Sequence, residues 1–145
     1  CDILPVHLLS LPIGVEIGLI QIYLWWKGLM KSLATINDKD IETIKMALND
    51  SISDINVDLK KDLSSKKRTE LAEFKSRYTR VLEKLKQNSS IYSLVESDLD
   101  LAASGLNDAI ELLEECMGDD LDEQEKSDFM NYRKDCERLL NILAS

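Results

Sequence analysis

Apolar side chains fall into four helical stripes over residues 37–145. Asn37-Asp38-Lys39-Asp40 supplies capping side chains and first-turn acids for a helix start. Behind it Ile41, Ile44, Leu48, Ile52, Ile55, Leu59 and Leu63 recur at 3-4-4-3-4-4 spacing. That eleven-residue repeat lies close to the α-helical period, so the helix can pack without left-handed supercoiling. The next stripe is Leu71, Phe74, Tyr78, Val81/Leu82 and Leu85, and Asn88-Ser89-Ser90 ends it. Val95, Leu99, Ala102, Leu106, Ala109, Leu113 and Cys116 follow at 4-3-4-3-4-3, a heptad pattern whose small alanines admit a close neighbour. Ser93-Leu94-Val95-Glu96 reads as its capping box and Gly118 as its stop. Asp120 with Glu123 caps a last stripe of Phe129, Tyr132, Cys136, Leu139/Leu140 and Leu143. The pattern predicts helices over 39–63, 69–87, 93–117 and 121–144. The first break is placed at 64–69 because Lys66-Lys67-Arg68 would sit badly in a first turn, where the helix dipole favours anions.

Residues 1–36 depart from this pattern. Ile3–Trp26 carries no Lys or Arg, one carboxylate (Glu16) and the one histidine of the chain, His7. Pro5 and Pro12 punctuate it, and a helix is expected from about Pro12 to Ser32. At about 100° per residue, Gly14, Gly18, Gln21 and Trp25 share one face. Gly14-x-x-x-Gly18 lets another backbone approach closely, and Gln21 can hydrogen-bond across such a contact. Gly14, Gly18, Gln21, Trp25 and Trp26 are therefore the candidate interaction residues. A helix apolar almost all round is buried in protein or in lipid. A membrane span needs about 20 apolar residues, while Glu16 would cost roughly 2–3.5 kcal/mol at its middle.

Together these elements predict an all-α fold: an up-and-down bundle of four amphipathic helices plus an apolar N-terminal helix. The expected organisation is an apolar segment over 1–36 and a bundle over 37–145, within one domain overall. From Asp38 to Ala103 there is neither glycine nor proline, which argues against a turn-rich β fold.

Charge narrows the partners. The net charge of −9 disfavours nucleic acid. Asp58–Lys86 carries ten basic and five acidic residues, whereas Glu96–Asp128 carries thirteen acidic residues and one lysine. The basic helix is therefore expected beside acidic surface of a neighbour. Asp50, Asp54, Asp58 and Asp62 form an acidic row, read as a solvated face.

The chemistry-bearing motifs are few. One histidine excludes paired Glu-x-x-His di-iron motifs and a His-Glu-x-x-His zinc site. The acids Asp119, Asp120, Asp122, Glu123 and Glu125 lack the glycine and glutamate that a calcium loop needs, since counting from Asp120 those positions are Glu125 and Asn131. No catalytic residue, metal ligand or cofactor is expected. Cys116 and Cys136 are expected reduced and buried on their stripes. Cys1 resembles the mature terminus of bacterial lipoproteins, which would imply a lipid on that cysteine; it is the one residue that carries the resemblance.

The expected function is a non-enzymatic interaction module that binds a hydrophobic partner through its apolar N-terminal helix or a bundle groove. The alternative is a membrane-anchored or membrane-inserting protein with residues 3–26 in lipid. Partners are a protein helix or a lipid membrane, with a homo-oligomer as a further option.

Overall fold

The computed structural model describes Ile20, Gln21, Tyr23, Leu24, Lys27 and residues 32–144. Most of the predicted apolar N-terminal helix lies outside these residues. The chain divides into two compact units, Cys1–Thr35 and Ile36–Ser145. Among the described residues of the first, Lys27 Nζ lies 5.0 Å from the centre of the Tyr23 ring, a cation–π distance.

The second unit is all-helical among its described residues: α1 (Asp38–Leu59), α2 (Ser65–Gln87), α3 (Glu96–Cys116) and α4 (Glu123–Ala144), with a 3-10 turn at Ile91–Ser93. The start of α1 follows its sequence. Asn37 Oδ1 accepts from the Asp40 N–H at 2.9 Å, and Asp40 Oδ2 accepts from the Asn37 N–H at 3.2 Å, which satisfies two donors reciprocally.

The first turn departs from expectation. α1 ends at Leu59 rather than Leu63, and α2 starts at Ser65 with Lys66, Lys67 and Arg68 inside its first turn. Ser64 caps α2 by accepting from the Lys67 N–H at 3.2 Å. Arg68 then reaches back, donating to the Leu59 carbonyl at 2.6 Å and the Lys61 carbonyl at 2.9 Å. The Leu59 carbonyl belongs to the partly negative end of α1, and Lys61 lies two residues beyond it. The unfavourable dipole of α2 is offset by the favourable one of α1.

The later caps also shift. Ser93 belongs to the 3-10 turn, and α3 begins after Val95, whose N–H donates to Asp98 Oδ2 at 3.2 Å. Met117 in extended backbone ends α3, and Gly118 adopts no positive φ. Asp122, not Asp120, caps α4 by accepting from the Glu125 N–H at 2.7 Å.

Helices α1 and α3 form the centre. They touch where Ser51 Oγ donates to the Gly105 carbonyl at 3.2 Å, and α2 and α4 each pack against both. Burial is uneven along the bundle. α1 buries Ile41, Ile44 and Leu48 early, whereas α2 buries Tyr78, Val81, Leu82 and Leu85 and α4 buries Cys136, Leu139 and Leu143 late. With the helices running up and down, these layers meet at one end. At the other, residues 65–77 of α2 and 123–135 of α4 bury nothing completely. Their large apolar side chains are few, and the bundle is too thinly filled there to close.

The basic helix finds one acidic neighbour. Lys84 pairs with buried Asp98 of α3, while Arg77 and Lys86 pair with Glu73 and Glu83 of their own helix. The expectation for Cys136 agrees with its burial, but Cys116 is exposed because the last turn of α3 stands at the thinly filled end.

Candidate binding groove

The open end holds a groove of about 450 Å³ between α1, α3 and α4. Met46 and Val57 of α1 form one wall and Phe129 of α4 the other, over a floor of Ala109, Leu112 and Leu113. Met46 and Val57 stand at 54% and 55% exposure, so the walls are apolar surface left facing water. Apolar surface continues past Phe129 to Met117 and Met130, also exposed, in a neighbouring cleft of about 380 Å³. Met46 thus rims the groove, and Met117 and Met130 the neighbouring cleft; thioethers are flexible and polarisable and adapt to varied apolar surfaces.

Polar groups mark its edge. The Tyr132 hydroxyl donates to Asp50 Oδ2 at 3.2 Å and ties α4 to α1. Burial pushes the Asp50 carboxyl above its usual range, against the lowering effect of that hydrogen bond. Burial likewise raises Tyr132, helped by neighbouring Cys136 and Asp50. Tyr132 therefore remains a neutral donor.

A second cleft, of about 280 Å³, opens between α1, α2 and α3, and Asp54 and Leu112 line both. At its inner end the Tyr78 hydroxyl donates to Asp108 Oδ2 at 2.9 Å and lies 2.7 Å from Ser104 Oγ. Since Tyr78 has one proton, Ser104 donates to it. Burial pushes Tyr78 up to about 12. Asp108 is also raised, by burial first; the Tyr78 bond lowers it, and the negative charges of Glu111 and Asp54 raise it again. Phe74, 6.1 Å from Tyr78 between ring centres, stands exposed at the mouth.

The hydroxyls and carboxylates of the two clefts are held in hydrogen bonds with each other. Every buried side-chain polar atom described has a hydrogen-bond partner, and a hydroxyl held near 12 beside a carboxylate is a poor nucleophile at neutral pH. Among the described residues, no three His, Cys, Asp or Glu side chains converge to hold a metal ion.

Of the interaction residues expected from sequence, Gln21 is helical and exposed. Gly14, Gly18, Trp25 and Trp26 lie outside the described residues. No helix among the described residues is long and apolar enough to cross a membrane. The sequence points to a bundle groove but not to Met46 and Val57 in its wall, which fall off the stripes. Their signal was an apolar residue on a face otherwise polar. Comparison with protein families, with curated proteins and with solved structures finds no match to this chain.

Proposed function

We propose that this chain is a non-enzymatic interaction module whose bundle groove takes up an apolar helix. The observation that carries this reading is the groove between α1, α3 and α4, of about 450 Å³, with Met46 and Val57 exposed in its wall. Exposed apolar patches rimmed by polar groups mark interaction sites, and a trough between helices accepts a further helix through side chains at i, i+3, i+4 and i+7.

The test is titration of the full chain with a synthetic 18-residue helix bearing a leucine stripe and glutamine elsewhere. Saturable binding is expected, lost in Met46→Asp/Val57→Asp. Both positions are exposed, so that variant keeps its helical circular dichroism. Equal binding by the variant, or none by the parent, rejects the groove.

A further inference from the structure

The groove is not electrically neutral, and its charge selects the partner. Asp50, Asp54 and Asp58 follow one another at four-residue intervals along α1, about 6 Å apart at 1.5 Å per residue. Asp108, Glu111 and Glu115 run along α3 beside them, and Asp54, Asp58, Asp108, Glu111 and Glu115 all line the cleft adjoining the groove. α1 and α3 run in the same direction, with Ser51 against Gly105 and Asp54 influencing Asp108 further along. Two acidic rows therefore flank one seam.

Their neutralisation within the described chain is partial. Lys61 pairs with Asp58 at 2.9 Å, and its charge also acts on Asp54 and Glu115 from farther away. Asp54, Asp108, Glu111 and Glu115 have no ion-pair partner among the described residues, and Glu111 and Asp54 already repel the charge on Asp108. The carboxylates do not converge on a single point, since no trio of them could hold one metal ion. Their complement is a line of separated positive charges. Lysines or arginines at i, i+4 on a helix have that spacing, and the apolar groove alongside accepts the same helix's leucine face.

We propose that the occupant of the groove is a basic amphipathic helix of a partner protein, its apolar face against Met46, Val57 and Phe129 and its cations along Asp54, Glu111 and Glu115. This rests on the groove reading above and adds the sign of the partner's charge. The basic residues enter the acidic cleft, where Phe74 offers an exposed ring face for a cation.

The experiment compares three 18-residue helices with one leucine stripe, flanked by lysine, glutamine or glutamate at i, i+4. The lysine helix is expected to bind about tenfold tighter than the glutamine helix at low salt, as several weak exposed pairs would give. The glutamate helix should bind weakest. The lysine advantage should vanish at about 1 M salt and in Glu111→Gln/Glu115→Gln, whose side chains line the acidic cleft and not the groove, while glutamine-helix binding stays unchanged. Both side chains are exposed, so the variant folds, and circular dichroism checks it. Equal binding of lysine and glutamine helices overturns the charge selection and leaves the groove standing. Binding of none of the three overturns both. Sedimentation of the chain alone covers the remaining occupant: a dimer dissociated by Glu111→Gln/Glu115→Gln would assign the cleft to the basic α2 of a second copy and overturn the proposal, whereas a monomer supports it.

Discussion

Leu48 and Gly105 meet where α1 lies against α3: a Cβ placed on Gly105 would stand 2.9 Å from Leu48 Cδ2. Leu48 has no exposed surface, so its side chain cannot swing into water to make room. The missing side chain is what brings the central pair of helices into contact.

Gly105→Ala therefore tests packing against propensity. Alanine gains about 1 kcal/mol in a helix interior over glycine, and overpacking a filled core costs about 1–3 kcal/mol. The expected outcome is a net loss of about 0–2 kcal/mol in urea unfolding, larger for Gly105→Val and smaller when Leu48→Val is made alongside. A stabilised Gly105→Ala protein would show that the contact between α1 and α3 yields.

The second prediction concerns Lys84 and Asp98. Asp98 is 1% exposed, accepts from Lys84 and the Val95 N–H, and forms the cap of α3. Removing one partner of a fully buried pair costs about 3–5 kcal/mol. Lys84 retains 37% side-chain exposure, so water can replace part of its contribution, and Lys84→Met is expected to cost about 1–3 kcal/mol. Lys86→Met should change stability by less than about 1 kcal/mol, since Lys86 meets only exposed Glu83 at 3.4 Å. Equal effects from the two substitutions would contradict the burial of Asp98.

Much of the fold is legible in the hydrophobic stripes, because Ile41, Ile44, Leu48, Val81, Leu106 and Leu139 recur at the helical period and are buried. The stripe says which face is inward and not how fully a given layer closes. Leu71 and Phe74 continue the α2 stripe, yet neither is buried, because they border the open cleft between α2 and the central helices α1 and α3. Gly105 falls between the heptad positions Ala102 and Leu106, and taken within its own helix a glycine there is only a cost. Arg68 sits in the first turn of α2 against that helix's own dipole, because its guanidinium answers the Leu59 and Lys61 carbonyls where α1 ends. Each omission is a relation between elements that no single segment contains.

The pH dependence follows from carboxyls shifted in opposite directions. Burial raises Asp50 and Asp108 above 3.8 despite their tyrosine bonds, so the folded state holds those protons more tightly than the unfolded chain. Stability contributed by them grows as pH falls from neutrality through the raised values toward 3.8 and is constant below. Asp98 behaves oppositely. Burial pushes it up, but Lys84 and the Val95 N–H outweigh burial and hold it below 3.8, so its contribution is present above 3.8 and is lost as pH falls through the lowered value. Urea midpoints should thus rise on mild acidification and fall once pH drops below 3.8. In Asp50→Asn/Asp108→Asn the acidic rise should shrink, and its persistence would place the responsible groups elsewhere.

The two described cysteines should differ in reactivity and in what their modification does. Cys136 has no exposed surface, and burial pushes its thiol up to about 11, against the lowering effect of Tyr132. Cys116 is exposed and lines the groove. Thiolate is the reacting species, so Cys136 must wait for α4 to open. In a Cys1→Ser background, one thiol is expected to react promptly with Ellman's reagent and the second at least about a hundredfold more slowly, with both titrating in denaturant. Equal rates would mean that the buried half of α4 opens freely. The fast thiol also reports on function: a bulky adduct at Cys116 should block uptake of the leucine-striped helix, whereas Cys116→Ser should leave uptake intact. Blockage by the adduct together with normal binding by the serine variant locates the partner in the groove without disturbing the core, because Cys116 contributes volume at the mouth and no buried contact that the bundle needs.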